Sequence, residues 1–134
     1  MARQHLFQPL FRRGARRIHL VNDTRELLLA ESIEAAFDSR SRRTGLLGRT
    51  AFATGSVLAI APSNAVHTFS MRFPIDVLFI TREGRVVKRV LGLKPGRVAG
   101  AWRAFAALEF AAGSAAVAAT TVGDRLTLQE QQGA

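Results

Sequence analysis

The chain has 134 residues, a length that fits one domain with a single hydrophobic core. It is 48% hydrophobic and 22% charged, which excludes a disordered or fibrous protein, and its lack of cysteine excludes disulfide bonds, thiolate metal sites and a cysteine nucleophile. Nineteen Lys and Arg residues against ten Asp and Glu residues give a net charge of +9, so we expect either a solvated basic surface or contact with a polyanion or an acidic membrane surface.

The first 24 residues differ in composition from the rest and are predicted to form a basic N-terminal arm, residues 1–24. Four apolar residues precede a cluster of arginines here, whereas a signal peptide places its basic residues before an apolar stretch of about 7–15 residues. The arm is therefore expected to be disordered, to pack on the domain or to lie on a membrane surface. Because no signal peptide or membrane-spanning run is recognised, a cytoplasmic location is predicted.

Residues 25–130 are predicted to fold as a single β-rich domain, followed by a short tail at 131–134. The composition of 27–37 is compatible with either a helix or a strand, because Leu, Ala and Glu favour a helix while a weak period of two favours a strand. Asp38 is a typical N-cap for a short helix over 39–47, which Gly48 would end.

Short apolar segments separated by turn residues follow and are predicted to be strands. The strongest pattern is 75–81, which a Gly-containing turn at 82–85 joins to a returning strand at 86–93. Gly113 and Ser114 open a second short helix that ends at Thr120. The remaining predicted strands are 56–61, 66–71, 104–110 and 125–129. About seven short strands with two short helices predict a mainly β domain of the α+β class, built as a small β-barrel or β-sandwich.

An ordered set of short sequence blocks lies between residues 45 and 128. In chain order the blocks are 45–49 (GLLGR), 66–80 (VHTFSMRFPIDVLFI), 83–87 (EGRVV), Glu109 ahead of 112–113 (AG), and 122–126 (VGDRL). Together they resemble the domain of unknown function 192 family of bacteria and archaea, and the resemblance extends from about residue 27 onward. It implies a compact, mainly β domain with short helices, and it implies no settled biochemical activity.

His67 and Asp76 are the residues with the most evident chemical potential, and they flank Pro74. A bend at this proline would bring the two side chains together, where they form either a general base or half of a metal site. In the structural alternative, Asp76 accepts hydrogen bonds from backbone N–H groups or from an arginine, and His67 is a packed histidine.

Three further side chains near these blocks are candidates for binding. Arg49 and Arg72 are expected either to pair with Asp76 or to bind an acidic group of a ligand. Trp102 is expected either to stack on a base or sugar or to cover the end of the domain. Glu109 lies inside an apolar strand and is predicted to face solvent or to pair with an arginine.

These residues predict a non-enzymatic domain that binds a small ligand or a partner protein. The predicted binding surface comprises Arg49, His67, Arg72, Asp76 and Trp102. No cofactor and no metal is predicted, since the sequence contains no phosphate loop, dinucleotide fingerprint, zinc signature or EF-hand. The alternatives are a small hydrolase-like enzyme or metal-binding protein that uses the His67 and Asp76 pair, and a basic nucleic-acid-binding module.

Overall fold

The computed structural model describes residues 5–11 and 17–131. Within these residues the chain forms ten strands in three sheets and two short α-helices. The predicted mainly β, α+β class is confirmed, with ten strands instead of about seven and with no sheet in the described ranges closing into a barrel. The elements are a 3-10 helix (Gln8–Phe11), β1 (Arg17–Asn22), β2 (Leu27–Ala30), β3 (Ser32–Ala36), α1 (Ser39–Thr44), β4 (Ser56–Ile60), β5 (Ala65–His67), β6 (Ile75–Ile80), β7 (Val86–Leu93), β8 (Val98–Gly100), β9 (Ala106–Ala111), α2 (Ala115–Ala119) and β10 (Leu126–Gln131).

A five-stranded sheet in the order β3-β4-β9-β6-β7 forms the centre of the domain. β3 runs parallel to β4, and the other neighbours are antiparallel. Every residue of β6 is buried, because apolar side chains pack on both faces of the sheet. Leu78 and Leu108 lie on one face, in a first core cluster that also contains Leu20, Val57, Val86, Phe110 and Leu126. Val77 and Phe79 lie on the other face, in a second core cluster that also contains Leu46, Leu58, Ile60, Val66, Met71 and Ile75.

Two smaller sheets flank this centre. A three-stranded sheet has the order β10-β1-β2, so β1 pairs on both edges although it falls inside the range predicted as an N-terminal arm. Residues 1–4 and 12–16 of that range, and 132–134 of the predicted tail, lie outside the described residues. β5 and β8 form a two-stranded antiparallel sheet, which we call the ribbon.

Helix α1 begins where the sequence predicts. The carboxylate of Asp38 accepts a hydrogen bond from the Ser41 N–H at 2.8 Å, which confirms the predicted N-cap. The helix ends at Thr44, earlier than predicted, because Gly45 takes a positive φ of 47° while its N–H donates to the Ser41 carbonyl.

Two other segments differ from their predictions. The ambiguous segment 27–37 contains two strands, β2 and β3, rather than a helix. The predicted strand 66–71 is shortened, because the Met71 N–H donates to the Thr68 carbonyl and Ser70 takes a positive φ of 65°, so the chain turns after β5. This turn directs Met71 inward, where it packs in the second core cluster.

Candidate functional site

A cavity of about 320 Å³ lies between helix α1 and strand β5. The face of the central sheet that carries the second core cluster forms its floor, while α1 with the following turn and β5 with Met71 form its walls. Leucine, isoleucine and methionine side chains supply the apolar lining. The main polar side chains of the lining are Ser39, Arg42, Arg43, Ser63, His67 and Glu109.

Strand β9 places Glu109 on the floor of this cavity through its period of two. Leu108 and Phe110 point into the first core cluster, so Glu109 points to the opposite face. There it is flanked by Leu58 of β4 and Val77 of β6, which oppose it in the two neighbouring strands and are both buried. A carboxyl group therefore occupies a position at which the surrounding sheet offers only apolar side chains.

Glu109 is only 3% exposed, and its side chain has no hydrogen bond or ion pair to any described residue. Burial away from water raises the pKa of its carboxyl group to about 7, because desolvation disfavours the charged form. The prediction that Glu109 faces solvent or pairs with an arginine is therefore wrong. Among the described residues, Thr127 Oγ1 is the fully buried side-chain polar atom without a partner, so the carboxyl oxygens of Glu109 keep access to the space of the cavity.

Two positively charged side chains lie at the α1 wall. The guanidinium of Arg42 donates to the Phe37 carbonyl at 2.7 Å and to Ser39 Oγ at 3.3 Å, so it is committed to the start of the helix. Arg43 is exposed and forms no ion pair within the described ranges. It is therefore the cation of this wall that remains available to a bound molecule.

His67 lies at the end of β5 and lines the same cavity. Its imidazole ring is exposed and stacks on Phe69, with 5.2 Å between ring centroids and 25° between ring planes. Among the five residues of the predicted binding surface, it is the one that lines the cavity.

The carboxylate of Asp76 is hydrogen-bonded to the backbone and not to His67. Its carboxylate accepts hydrogen bonds from the backbone N–H of Gly92 at 2.8 Å and of Gly113 at 3.2 Å. Gly92 takes a positive φ of 64° where β7 is out of register with β6, and Gly113 lies in the turn after β9. Asp76 therefore connects two irregular backbone segments, as the structural alternative for this residue predicts.

The other three predicted residues lie outside the cavity lining. Arg49 forms a two-point ion pair with Glu34, with N–O distances of 3.1 and 2.8 Å, and the hydrogen bond from Arg49 lowers the pKa of Glu34. Arg72 is exposed, and Trp102 is 81% exposed with the Arg103 guanidinium 5.1 Å from its ring centroid. The structure thus does not gather the five predicted residues into one pocket.

Sequence reasoning singled out Glu109 but did not predict its burial on a cavity floor, and it did not single out Arg43. One feature of the sequence could have indicated this position. Glu109 is the single charged residue of the apolar run AFAALEF, and the residues two positions away, which share its face of the strand, are both alanines.

No set of three His, Asp or Glu side chains in 5–11 and 17–131 is placed to hold a metal ion. In the same residues, no helix is long and apolar enough to cross a membrane, and the predicted cytoplasmic location stays a prediction.

Two solved structures share this fold. One is a protein of unknown function from Novosphingobium aromaticivorans DSM 12444, with a TM-score of 0.69, 20% sequence identity and 84% of each chain covered. The other is a "putative transcription regulator" from Sinorhizobium meliloti 1021, with a TM-score of 0.67, 22% identity and coverage of 82% of this chain and 90% of that one. At these identities the likeness establishes the fold alone.

No curated protein matches the chain. The family model of DUF192, described as Uncharacterized ACR, matches residues 20–128, which include the floor and both walls of the cavity. That description names no activity. The resemblance predicted from the sequence blocks is confirmed, and the chain belongs to the DUF192 family.

Proposed function

We propose that this domain binds a small zwitterionic molecule in the cavity between α1 and β5. The observation that carries the proposal is the carboxyl group of Glu109, which is buried on the cavity floor without a partner among the described residues. An unpaired buried carboxylate is unfavourable, and an ammonium or other cationic nitrogen of a ligand would supply the missing donor. The floor therefore recognises the positive end of the ligand.

The negative end of the ligand would contact Arg43. This guanidinium lines the same cavity, is exposed and has no competing ion pair in the described part of the chain. Guanidinium groups bind carboxylates through two parallel hydrogen bonds, which fixes orientation as well as charge. Apolar residues between the two polar ends suit the methylene groups of a short chain, and a volume of about 320 Å³ is near the lower limit for ligand pockets.

A series of ω-amino acids from glycine to 6-aminohexanoate tests this proposal, with butylamine and butyrate as probes that carry one charge only. Thermal unfolding is followed with each probe at about pH 6 and about pH 8, on either side of the pKa of Glu109. We expect one chain length to raise the Tm most, because a ligand that binds only the folded state stabilises it. The increase should be larger at pH 8, where Glu109 is ionised.

Matched variants separate the two ends of the site. Glu109→Gln should abolish the response to the ω-amino acids, whereas Glu31→Gln, an exposed carboxyl outside the cavity, should leave it unchanged. Arg43→Ala should reduce the response to that of butylamine, and Arg40→Ala on the same helix should not. If no member of the series raises the Tm, or if Glu109→Gln responds like the wild type, the proposal is wrong.

A second candidate function is acid–base catalysis on such a ligand. What favours it is the placement of Glu109 on the cavity floor, where burial raises its pKa to about 7 and allows this group to accept or donate a proton near neutral pH. The p-nitrophenyl esters of the same ω-amino acids are suitable probes. Release of p-nitrophenol that Glu109→Gln abolishes and Glu31→Gln preserves would establish an enzyme, and binding without turnover would establish the binding protein.

A further inference from the structure

The two faces of the ribbon have opposite character. Val66 and Ala99 form a cross-strand pair that packs against the second core cluster. The next pair, His67 and Val98, points the other way, and both of its residues are exposed. Directly paired residues lie on one face and successive residues alternate, so His67 and Val98 share the outward face of the ribbon, where His67 also borders the cavity.

Three of the seven exposed large hydrophobic side chains of the described residues lie on the ribbon or directly after its strands. Val98 is 64% exposed at the start of β8, Phe69 is 51% exposed just after β5, and Trp102 is 81% exposed just after β8. Since β5 and β8 are antiparallel, Phe69 and Trp102 follow opposite ends of the ribbon. Exposed rings on this scale are unusual on a surface that contacts only water.

Basic side chains predominate around these rings, and the acidic side chain placed near them is Glu83, which lines a shallow cavity together with Arg103. Asp76 is the one acidic residue between Asp38 and Glu83, and it is buried with its oxygens bonded to backbone N–H groups. Between Glu83 and Glu109 the sequence has none. The exposed cations close to the ribbon in the sequence are Arg72, Lys94, Arg97 and Arg103, and Lys88 donates to the Gly100 carbonyl of β8 at 2.8 Å. None of them forms an ion pair with another described residue.

We propose that the outward face of the ribbon binds single-stranded nucleic acid. Trp102 and Phe69 would stack on unpaired bases, while Arg97 and Arg103 would contact phosphate groups. Interleaved rings and cations suit a polymer that has both flat rings and negative charge. A duplex keeps its bases stacked inside and therefore fits these exposed rings less well. A lipid interface also accepts rings and cations, so vesicles form a separate arm of the test.

Fluorescence anisotropy with labelled oligothymidylate and oligouridylate of about twelve nucleotides tests the proposal, since single-strand sites span roughly 4–16 nucleotides. Trp102→Ala should weaken binding about tenfold or more, the effect expected for loss of one stacked base. Phe11→Ala removes an exposed ring at the end of the 3-10 helix and is the matched control that should leave binding unchanged. Comparison of the two oligomers shows whether DNA or RNA is preferred.

Salt dependence tests the cations separately. Each phosphate contact contributes about 0.7 to the slope of log affinity against log salt concentration for a single strand. Arg97→Ala should reduce the slope by about this amount, and Arg17→Ala, at the exposed start of β1, should lower it less. Thermal unfolding of each variant checks that it is folded, and Trp102→Ala should keep the response to ω-amino acids, which makes the two proposals independent.

Three outcomes would overturn the proposal. One is no binding of either oligomer at low ionic strength. The second is equal binding of heparin, a polyanion without bases, together with no effect of Trp102→Ala, since the surface would then respond to charge alone. The third is stronger binding to vesicles that contain phosphatidylserine than to both oligomers, which would assign the face to a membrane surface.

Discussion

Asp76 and Glu109 lie on the adjacent strands β6 and β9, and each is only 3% exposed, but their environments are opposite in kind. Asp76 accepts two backbone hydrogen bonds, from Gly92 and Gly113. Glu109 faces a cavity and has no partner within the described ranges, so burial alone determines its raised pKa. The donors around a buried carboxyl group, rather than its burial, therefore distinguish a group that serves the fold from one that is available to a ligand.

Asp124 shows that the satisfied case is the ordinary one in this domain. It is buried beside β1 and accepts hydrogen bonds from Asn22 Nδ2 at 2.9 Å, Arg25 Nε at 2.6 Å and the Thr121 N–H at 2.9 Å. Desolvation raises the pKa of this group, but the hydrogen bonds together place it well below the ordinary value. Two of these three buried carboxyl groups therefore have donors that stabilise the charge, and Glu109 does not.

The largest expected effect follows from removing Asp76. Asp76→Ala leaves the N–H groups of Gly92 and Gly113 without their acceptor, and we expect a loss of about 2–3 kcal/mol in the free energy of unfolding. Urea unfolding at neutral pH measures it, with Asp23→Ala, an exposed aspartate, as the control. A variant as stable as the wild type would show that this carboxylate does not serve the fold, and the comparison with Glu109 would fail.

Glu109→Gln is expected to act in the opposite direction and to stabilise the protein by about 2 kcal/mol at about pH 8. The pKa of about 7 in the folded state lies above the ordinary value of 4.5. The wild-type group therefore favours folding fully only below pH 4.5, and this contribution is lost as the pH rises through 7.

Urea unfolding between about pH 5 and pH 8 measures this difference, and the stability advantage of the variant should grow across that range. Glu31→Gln should show no such trend, because Glu31 is exposed. An advantage that is absent at every pH would mean that the cavity already stabilises the carboxylate, and Glu109 would then belong with Asp76.

Much of the fold follows from local sequence, and the candidate site does not. The β6 and β7 pair is predicted because apolar residues of strand type flank a turn that contains Gly84. Gly84 takes a positive φ of 93° and lies so close to the Leu126 carbonyl that a side chain would not fit there. By contrast, β1 is not predicted, although Ile18 and Leu20 alternate with less buried residues in the way a strand requires.

The environment of Glu109 depends on segments that are far away in the sequence. The alternation of side chains along β9 predicts that Glu109 and Leu108 lie on opposite faces of the sheet. It does not predict that Leu58 and Val77 become the neighbours of Glu109, or that a cavity lined by α1 lies over this carboxyl group. The two donors of Asp76 are likewise 16 and 37 residues away. Sequence pattern predicts which face a side chain takes, and only the register between strands determines what that face meets.

A smaller effect is expected at Asp124, and it has the opposite dependence on pH. Its pKa is lowered, so its contribution to stability is present above the ordinary value of 3.8 and is lost as the pH falls below it. Asp124→Asn should lose about 1–2 kcal/mol at neutral pH, because the charged hydrogen bond from Arg25 becomes a neutral one. Acid unfolding followed by circular dichroism should show a shallower decline for the variant below about pH 4 than for the wild type.

The smallest expected effect on stability is that of His67→Ala, below about 0.5 kcal/mol. The imidazole is exposed, and the ring contact it makes is with Phe69, which is itself half exposed, so little burial is lost. Because the same ring lines the cavity that Arg43 also lines, the variant should nevertheless weaken the response to the best ω-amino acid.

Urea unfolding of His67→Ala measures its effect on stability, and the Tm shift with that probe, measured on the same preparation, gives its effect on binding. A loss of more than about 2 kcal/mol would place His67 with Asp76 among the residues that maintain the fold, whereas unchanged stability with reduced binding would place it with Glu109.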